Sequence, residues 1–250
     1  MKVKIFESPA TLGENAAAFA ASLLNAAIAE KGDARLLLST GASQFDTLKA
    51  LVNEKVDWTK VTMFHLDEYV GISDTHIASF RKYLRERFTD IVKVKEAHFI
   101  KTEGDLQRNL RELTAAIRQA PIDVGLIGIG ENSHIAFNDP PADFGTREAF
   151  TVVDLNERCK LQQVGEGWFP TVADVPKQAV SITVHQILQS KAIISAVPHQ
   201  NKAEAIKWTL ENEVQNLYPA TILKQHPQVT LFLDQRSAAL VEAEVLKQYL

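Results

Sequence analysis

The run Ile122-Asp123-Val124-Gly125-Leu126-Ile127 passes without a break into Gly128-Ile129-Gly130-Glu131-Asn132-Ser133-His134-Ile135-Ala136-Phe137-Asn138-Asp139-Pro140. A short apolar segment that ends in two glycines and a histidine reads as a buried parallel strand delivering small residues and a titratable group to the sheet edge. Open α/β sheets place their chemistry at that edge. Asp139 follows His134 by five residues, and a carboxylate that accepts one ring N–H leaves the other ring nitrogen free to move a proton. A histidine satisfied within a tight turn would show the same residues, so the rest of the chain has to decide.

Outward from this stretch, short runs rich in Val, Ile, Leu and Phe alternate with segments of helical period, the pattern of βαβ units around a mostly parallel sheet with helices on both faces. Strands are expected at Lys2–Phe6, Arg35–Leu38, Val61–Leu66, His98–Ile100, Ile122–Ile129, Thr151–Val153, Ala179–Thr183, Ala192–Val197 and Val229–Leu233. A first helix is expected to present Phe19, Leu23, Leu24, Ala27 and Ile28, with Thr11 and Glu14 as a capping box and Gly32 as its stop. A second is expected to begin near Ser43, with Ser43 and Asp46 fitting an N-terminal cap, and to carry Phe45, Leu48, Leu51 and Val52 on one face. A third spans Leu106–Ile117, where Leu106, Leu110, Leu113 and Ile117 form a core stripe.

The 250 residues are compatible with one α/β domain covering 1–250, and the irregular, glycine- and proline-interrupted segment 142–176 is a place for a lid. With 27 basic and 31 acidic residues the net charge of −4 gives no electrostatic case for nucleic-acid binding. No apolar run approaches the roughly 20 residues of a membrane-spanning helix, so no membrane partner is expected. A lone cysteine, Cys159, and an N-terminus unlike a signal peptide point to a cytoplasmic setting. The sequence leaves monomer and homo-oligomer both open.

Three strand ends carry chemistry. Ser39-Thr40-Gly41-Ala42-Ser43 is a small-residue loop before a helix, suited to a phosphate, although a plain strand-to-helix turn would look alike. Phe64-His65-Leu66-Asp67-Glu68-Tyr69-Val70-Gly71 sets two acids after an apolar strand, where a buried Asp67 could act as a base and solvated loop acids are the alternative. The third is the His134 loop. Its Gly128-x-Gly130-x-x-Ser133 lacks the third glycine of a dinucleotide fingerprint, and no Walker A lysine, Gly-x-Ser-x-Gly elbow, His-Glu-x-x-His or paired cysteines occur. Neither a cofactor nor a metal is expected.

On these segments, together with Pro176-Lys177 and Lys202-Ala203, the chain resembles the glucosamine-6-phosphate deaminase (isomerase) family almost end to end. The resemblance implies a Rossmann-like doubly wound sheet. It also implies a deaminase-type hydrolase that isomerises an amino-sugar 6-phosphate, glucosamine or galactosamine 6-phosphate, to the ketose 6-phosphate plus ammonia. Asp67 is similar to the base that shuttles a proton between C2 and C1. His134 resembles the ring-opening histidine, with Asp139 in place of a glutamate. Lys202 looks like the phosphate lysine, joined by Thr40, Gly41, Ala42, Ser43 and Gly130.

Three departures from the family pattern stand out. Asn132 and Ser133 stand where the best-known deaminases carry aspartate and glycine, which removes one negative charge near His134. Gln163 falls at the lid arginine that binds phosphate, with Arg158 nearby. The residues after Pro140 lack the basic, hydroxyl-rich run of the allosteric site in some members, which argues against feedback by an acetylated sugar phosphate. A non-catalytic sugar-phosphate sensor is the reading from another class, motivated by Asn132 and opposed by the joint presence of Asp67, His134 and Asp139. A 6-phosphogluconolactonase is opposed by Phe137-Asn138-Asp139-Pro140.

Overall fold

The computed structural model describes residues 1–165 and 167–250, apart from the side chains of residues 158 and 162. Strand β2 (Ala34–Leu38) shows why the chain forms layers: Ala34, Leu36 and Leu38 enter one core cluster and Leu37 the other. A strand buried on both sides requires helices over both faces. Around it lie β1 (Lys2–Phe6), β3 (Val61–His65), β5 (Glu96–His98), β6 (Val124–Leu126), β9 (Ala192–Val197) and β10 (Val229–Asp234). All seven strands are parallel, in the order β1-β10-β9-β6-β2-β3-β5.

That order fixes the site. From β2 the chain builds outward through β3 and β5, and from β6 it builds the other way through β9 and β10. The winding therefore reverses between β2 and β6, and the loops leaving those two strands part to open a crevice.

Helix α1 (Pro9–Lys31) packs on one face through Leu12, Ala16, Ala17, Ala20, Leu24 and Ala27, while Phe19, Leu23 and Ile28 are only half-buried. The expected inner face is rotated because the alanines let the helix approach the sheet closely. Its cap is Ser8, accepting from the Thr11 backbone N–H, rather than a Thr11–Glu14 box, and it stops at left-handed Gly32 (φ 88°). Helix α2 (Phe45–Leu51) follows a 3₁₀ turn, Ala42–Gln44, and no side chain caps either, so Ser43 does not act as the expected cap. Next come α3 (Phe80–Leu84) and α4 (Leu106–Ile117), which Asp105 caps through the Arg108 N–H at 3.0 Å. The chain continues with α5 (Glu157–Gly165), α6 (Val184–Ile187), α7 (Ala203–Glu211) and α8 (Ala243–Leu246).

The expected strands at 151–153 and 179–183 leave the parallel sheet. As β7 (Phe150–Asp154) and β8 (Gln178–Ile182) they join β4 (Asp67–Tyr69) in an antiparallel three-stranded sheet ordered β4-β8-β7. Strand β4 was not anticipated, since three residues reading acid-acid-aromatic show no alternation. The expected Ile122–Ile129 strand contracts to β6, after which the glycine loop peels away. The His98–Ile100 expectation shifts back to β5, because Ile100 instead plugs the core and donates its N–H to His65 Nε2 at 2.9 Å. The 142–176 segment contains β7, α5 and a 3₁₀ turn, Val172–Asp174.

Candidate active site

The loops after β2, β3, β6 and β9 converge on a cleft of about 180 Å³ at the reversal point. That is below the range of drug-sized pockets and suits a small polar molecule. Its β2 side is the loop Ser39–Ser43, shaped by Gly41 at φ 101°. Tyr83 braces this loop from behind, its hydroxyl donating to the Gly41 carbonyl at 2.8 Å. Lys202, buried at the 3₁₀ turn that leads into α7, lines the same cleft.

His134 is held by its own loop. Nδ1 lies 2.5 Å from Asn132 Oδ1 and 3.2 Å from Asp139 Oδ1, while Asn132 Nδ2 donates to Asp139 Oδ1 at 3.0 Å. Two oxygen acceptors at Nδ1 place the proton there and leave Nε2 for exchange in the cleft that His134 lines. Asp139 Oδ2 in turn accepts from Asn156 Nδ2 at 3.1 Å, and Asn156 Oδ1 caps α5 by accepting from the Cys159 N–H at 2.8 Å. The imidazole packs against Gly130: a Cβ on that residue would lie within 2.5 Å of its Cε1, Nε2 and Cδ2, so the ring would have to move. Ser133 (φ 68°) and Ala136 (φ 50°), on either side of the His134–Ile135 pair, take left-handed backbone conformations that side chains resist.

Asp67 faces this histidine's cleft from the start of β4 and is only 7 % exposed. Burial, with the neighbouring Glu68 carboxylate adding to it, pushes its carboxyl from an ordinary 3.8 up to about 8. Glu68 points away and performs a different task. Its carboxylate accepts from the Ser79 hydroxyl at 2.8 Å, the Arg81 N–H at 3.0 Å and Nε at 3.2 Å, and the Phe80 N–H at 3.2 Å. It thereby anchors the start of α3. Burial pushes the Glu68 carboxyl up, and these donors act against that shift. His65 is also structural: burial drives its imidazole down to about 3.

Helix α5 covers one side. Gln163 Oε1 accepts from the Tyr69 hydroxyl at 2.7 Å, tying the helix to β4 two residues from Asp67. Trp168, beyond the helix, lines the cleft with Phe80 and Phe137, and both phenylalanines pack on Tyr69 at centroid distances of 5.1 and 5.5 Å.

Of the residues singled out from sequence, Thr40, Gly41, Ala42, Ser43 and Asp67 line the cleft, as do Gly130, His134, Gln163 and Lys202. Asn132 and Asp139 stand behind His134. Gly130 forms the seat of the His134 ring, a contact the glycine spacing alone did not indicate. The side chain of Arg158 lies outside the described residues. Ser39, the first residue of the loop read as suited to a phosphate, also lines the cleft; sequence reasoning missed Asn156, Asn201 and His199, of which Asn201 and His199 line it, His199 at φ 83°.

A doubly wound α/β protein with a buried carboxylic acid opposite a carboxylate-backed histidine at its switch point has the equipment of an acid/base enzyme for small polar substrates. A sequence model of the family described as glucosamine-6-phosphate isomerases/6-phosphogluconolactonase matches residues 7–232, and the chain belongs to that family. It is 32 % identical over 237 residues to a glucosamine-6-phosphate deaminase of Thermoanaerobacter pseudethanolicus, covering 92 % of each chain. A solved monomeric glucosamine-6-phosphate deaminase superposes with a TM-score of 0.86 at 31 % identity, covering 96 % of this chain and 100 % of that one. A 6-phosphogluconolactonase from Shewanella baltica superposes with a TM-score of 0.76 at 19 % identity over 94 % of this chain and 97 % of that one, a likeness of fold alone.

Proposed function

We propose that the protein converts glucosamine 6-phosphate to the ketose 6-phosphate and ammonia. The observation that carries this reading is the meeting, in one cleft, of buried Asp67 and an imidazole whose Nδ1 is fixed by Asn132 and Asp139. The phosphate is assigned to the Thr40–Ser43 loop and Lys202, whose backbone N–H groups, hydroxyls and ammonium suit it. His134 Nε2 takes the proton of the anomeric hydroxyl and hands it to the ring oxygen as the bond from C1 to that oxygen breaks, leaving the open-chain aldehyde. Asp67 then removes the C2 proton while the aldehyde oxygen takes one from solvent, to be returned when the later iminium is hydrolysed, forming an enolamine. The same carboxylic acid returns the proton to C1, and the electron pair on nitrogen forms a C2 iminium. Water adds to that carbon, the C–N bond breaks and ammonia leaves.

Each acid/base step of this kind contributes roughly 10²–10⁴-fold. A base that holds its proton up to about pH 8 in the free protein must shed it before it can attack C2. The acid limb of kcat/KM is therefore expected to climb with pH toward about 8. A pH–rate profile that is flat from 6 to 9 would exclude Asp67 as the base.

Asn156 is expected to act through Asp139. Asn156→Ser keeps an oxygen to cap α5 but cannot reach Asp139, and kcat should fall roughly threefold to tenfold with KM little changed. Steady-state kinetics read the split, and equal losses in both constants would assign Asn156 to folding alone.

The choice of sugar rests on contacts to the 4-hydroxyl. Ketose 6-phosphate formation measured in parallel from glucosamine 6-phosphate and galactosamine 6-phosphate, with 6-phosphogluconolactone hydrolysis as control, tests the reading. Turnover of glucosamine 6-phosphate supports it, preference for the galacto epimer reassigns the substrate, and lactone hydrolysis alone overturns the deaminase.

A further inference from the structure

We propose that His199 is a second, pH-gated anion-binding residue at the phosphate end of the cleft, adding positive charge near Lys202 when its imidazole is protonated; the proposal rests on the sugar-phosphate reading. His199 has φ 83° and ψ 149°, a backbone region occupied almost only by glycine. Asp234 Oδ2, at the end of β10, holds it there by accepting the His199 N–H at 3.1 Å, and Asp234 is itself fixed by the Ser237 N–H at 2.7 Å. Among the described residues the imidazole makes no hydrogen bond, ion pair or ring contact, so the strained backbone is not offset by packing of this side chain. What the conformation does achieve is a histidine on the cleft wall three residues before Lys202.

The charge inventory gives that position a use. Among the described residues lining the cleft, the basic side chains are Lys202, His134 and His199, and Nδ1 of His134 is already committed to Asn132 and Asp139. A phosphate dianion set against Lys202 carries more charge than one ammonium balances, and imidazole is the side chain that gains charge between pH 8 and 5. The other groups around this end are Asp67 and His134 from the β3 and β6 loops, Glu131, which holds Asn201 at 2.6 Å, and Asp234 behind the backbone. All of these remain in a His199 variant, so a comparison isolates the imidazole.

Sulfate keeps its double charge from pH 6 to 8 and serves as the probe. Its dissociation constant is measured calorimetrically at both pH values for the wild type, His199→Asn and His199→Gly. The wild type should weaken between pH 6 and 8 by roughly threefold to tenfold more than either variant. His199→Gly should melt no lower than the wild type, which separates lost binding from lost fold. Equal pH dependence in the wild type and His199→Asn would overturn the role of His199. A wild type that binds neither sulfate nor glucosamine 6-phosphate would instead remove the sugar-phosphate reading, and this proposal with it.

Discussion

Replacing Asp67 by asparagine is expected to lower kcat by roughly 10²–10⁴-fold while leaving sugar-phosphate binding within a few-fold of wild type. The amide keeps the size of the side chain and cannot accept the C2 proton. The same substitution should raise stability at alkaline pH, and the sign follows from the direction of the shift. The folded protein holds the Asp67 proton up to about pH 8, whereas the ordinary carboxyl releases it near 3.8. Folding is therefore favoured by this group at low pH, and the advantage is lost as pH rises through that interval. Above pH 8 the wild type carries a buried carboxylate beside Glu68, and Asp67→Asn does not. Melting temperatures measured at pH 5 and pH 9 should show the variant gaining on the wild type as pH rises. A variant that is inactive and less stable at both pH values would mean that Asp67 holds the fold together.

Gly130→Ala is expected to cost roughly 10²-fold or more in kcat, because displacing a reacting group by about 1 Å has effects of that size. The added methyl would occupy the space of the His134 ring. The imidazole must swing away, breaking its alignment with Asn132 and Asp139. What yields is a side chain, so the fold should survive with an unchanged far-ultraviolet dichroism spectrum and only a small drop in melting temperature. Substrate affinity should change less than kcat, since the phosphate end lies on other loops. Full activity in Gly130→Ala would show that the ring need not sit where it does.

The parallel framework was legible because its central strands are apolar on both faces and helix α4 carries a clear period. Strands β1 and β9 and helix α4 run over the residues that the pattern marks. The second sheet was not legible. Strand β4 is three residues long and its pairing with β8 is a tertiary event, decided by where the chain turns after β3. The face of α1 was misjudged for a related reason, since counting large apolar residues overlooks a helix that packs through alanine.

In the cleft, residues with distinctive chemistry at strand ends, Asp67, His134 and Lys202, could be picked out from spacing and resemblance. Residues that matter through conformation could not. His199 gives no sign in the sequence that it will hold a glycine's backbone angles, and Asn156 looks like any helix cap until Asp139 is found against its amide. Glu68, adjacent to Asp67 and chemically alike, turns inward to Arg81 and the start of α3, a division of labour visible only in three dimensions.

The most direct test of the central claim is the stoichiometry of the purified protein's action on glucosamine 6-phosphate, with ammonia and ketose 6-phosphate quantified in the same reaction. The account predicts that both appear together in equal amounts. Bound but unconverted glucosamine 6-phosphate would contradict it and favour a sensor, and a ketose formed without ammonia would contradict the deamination step.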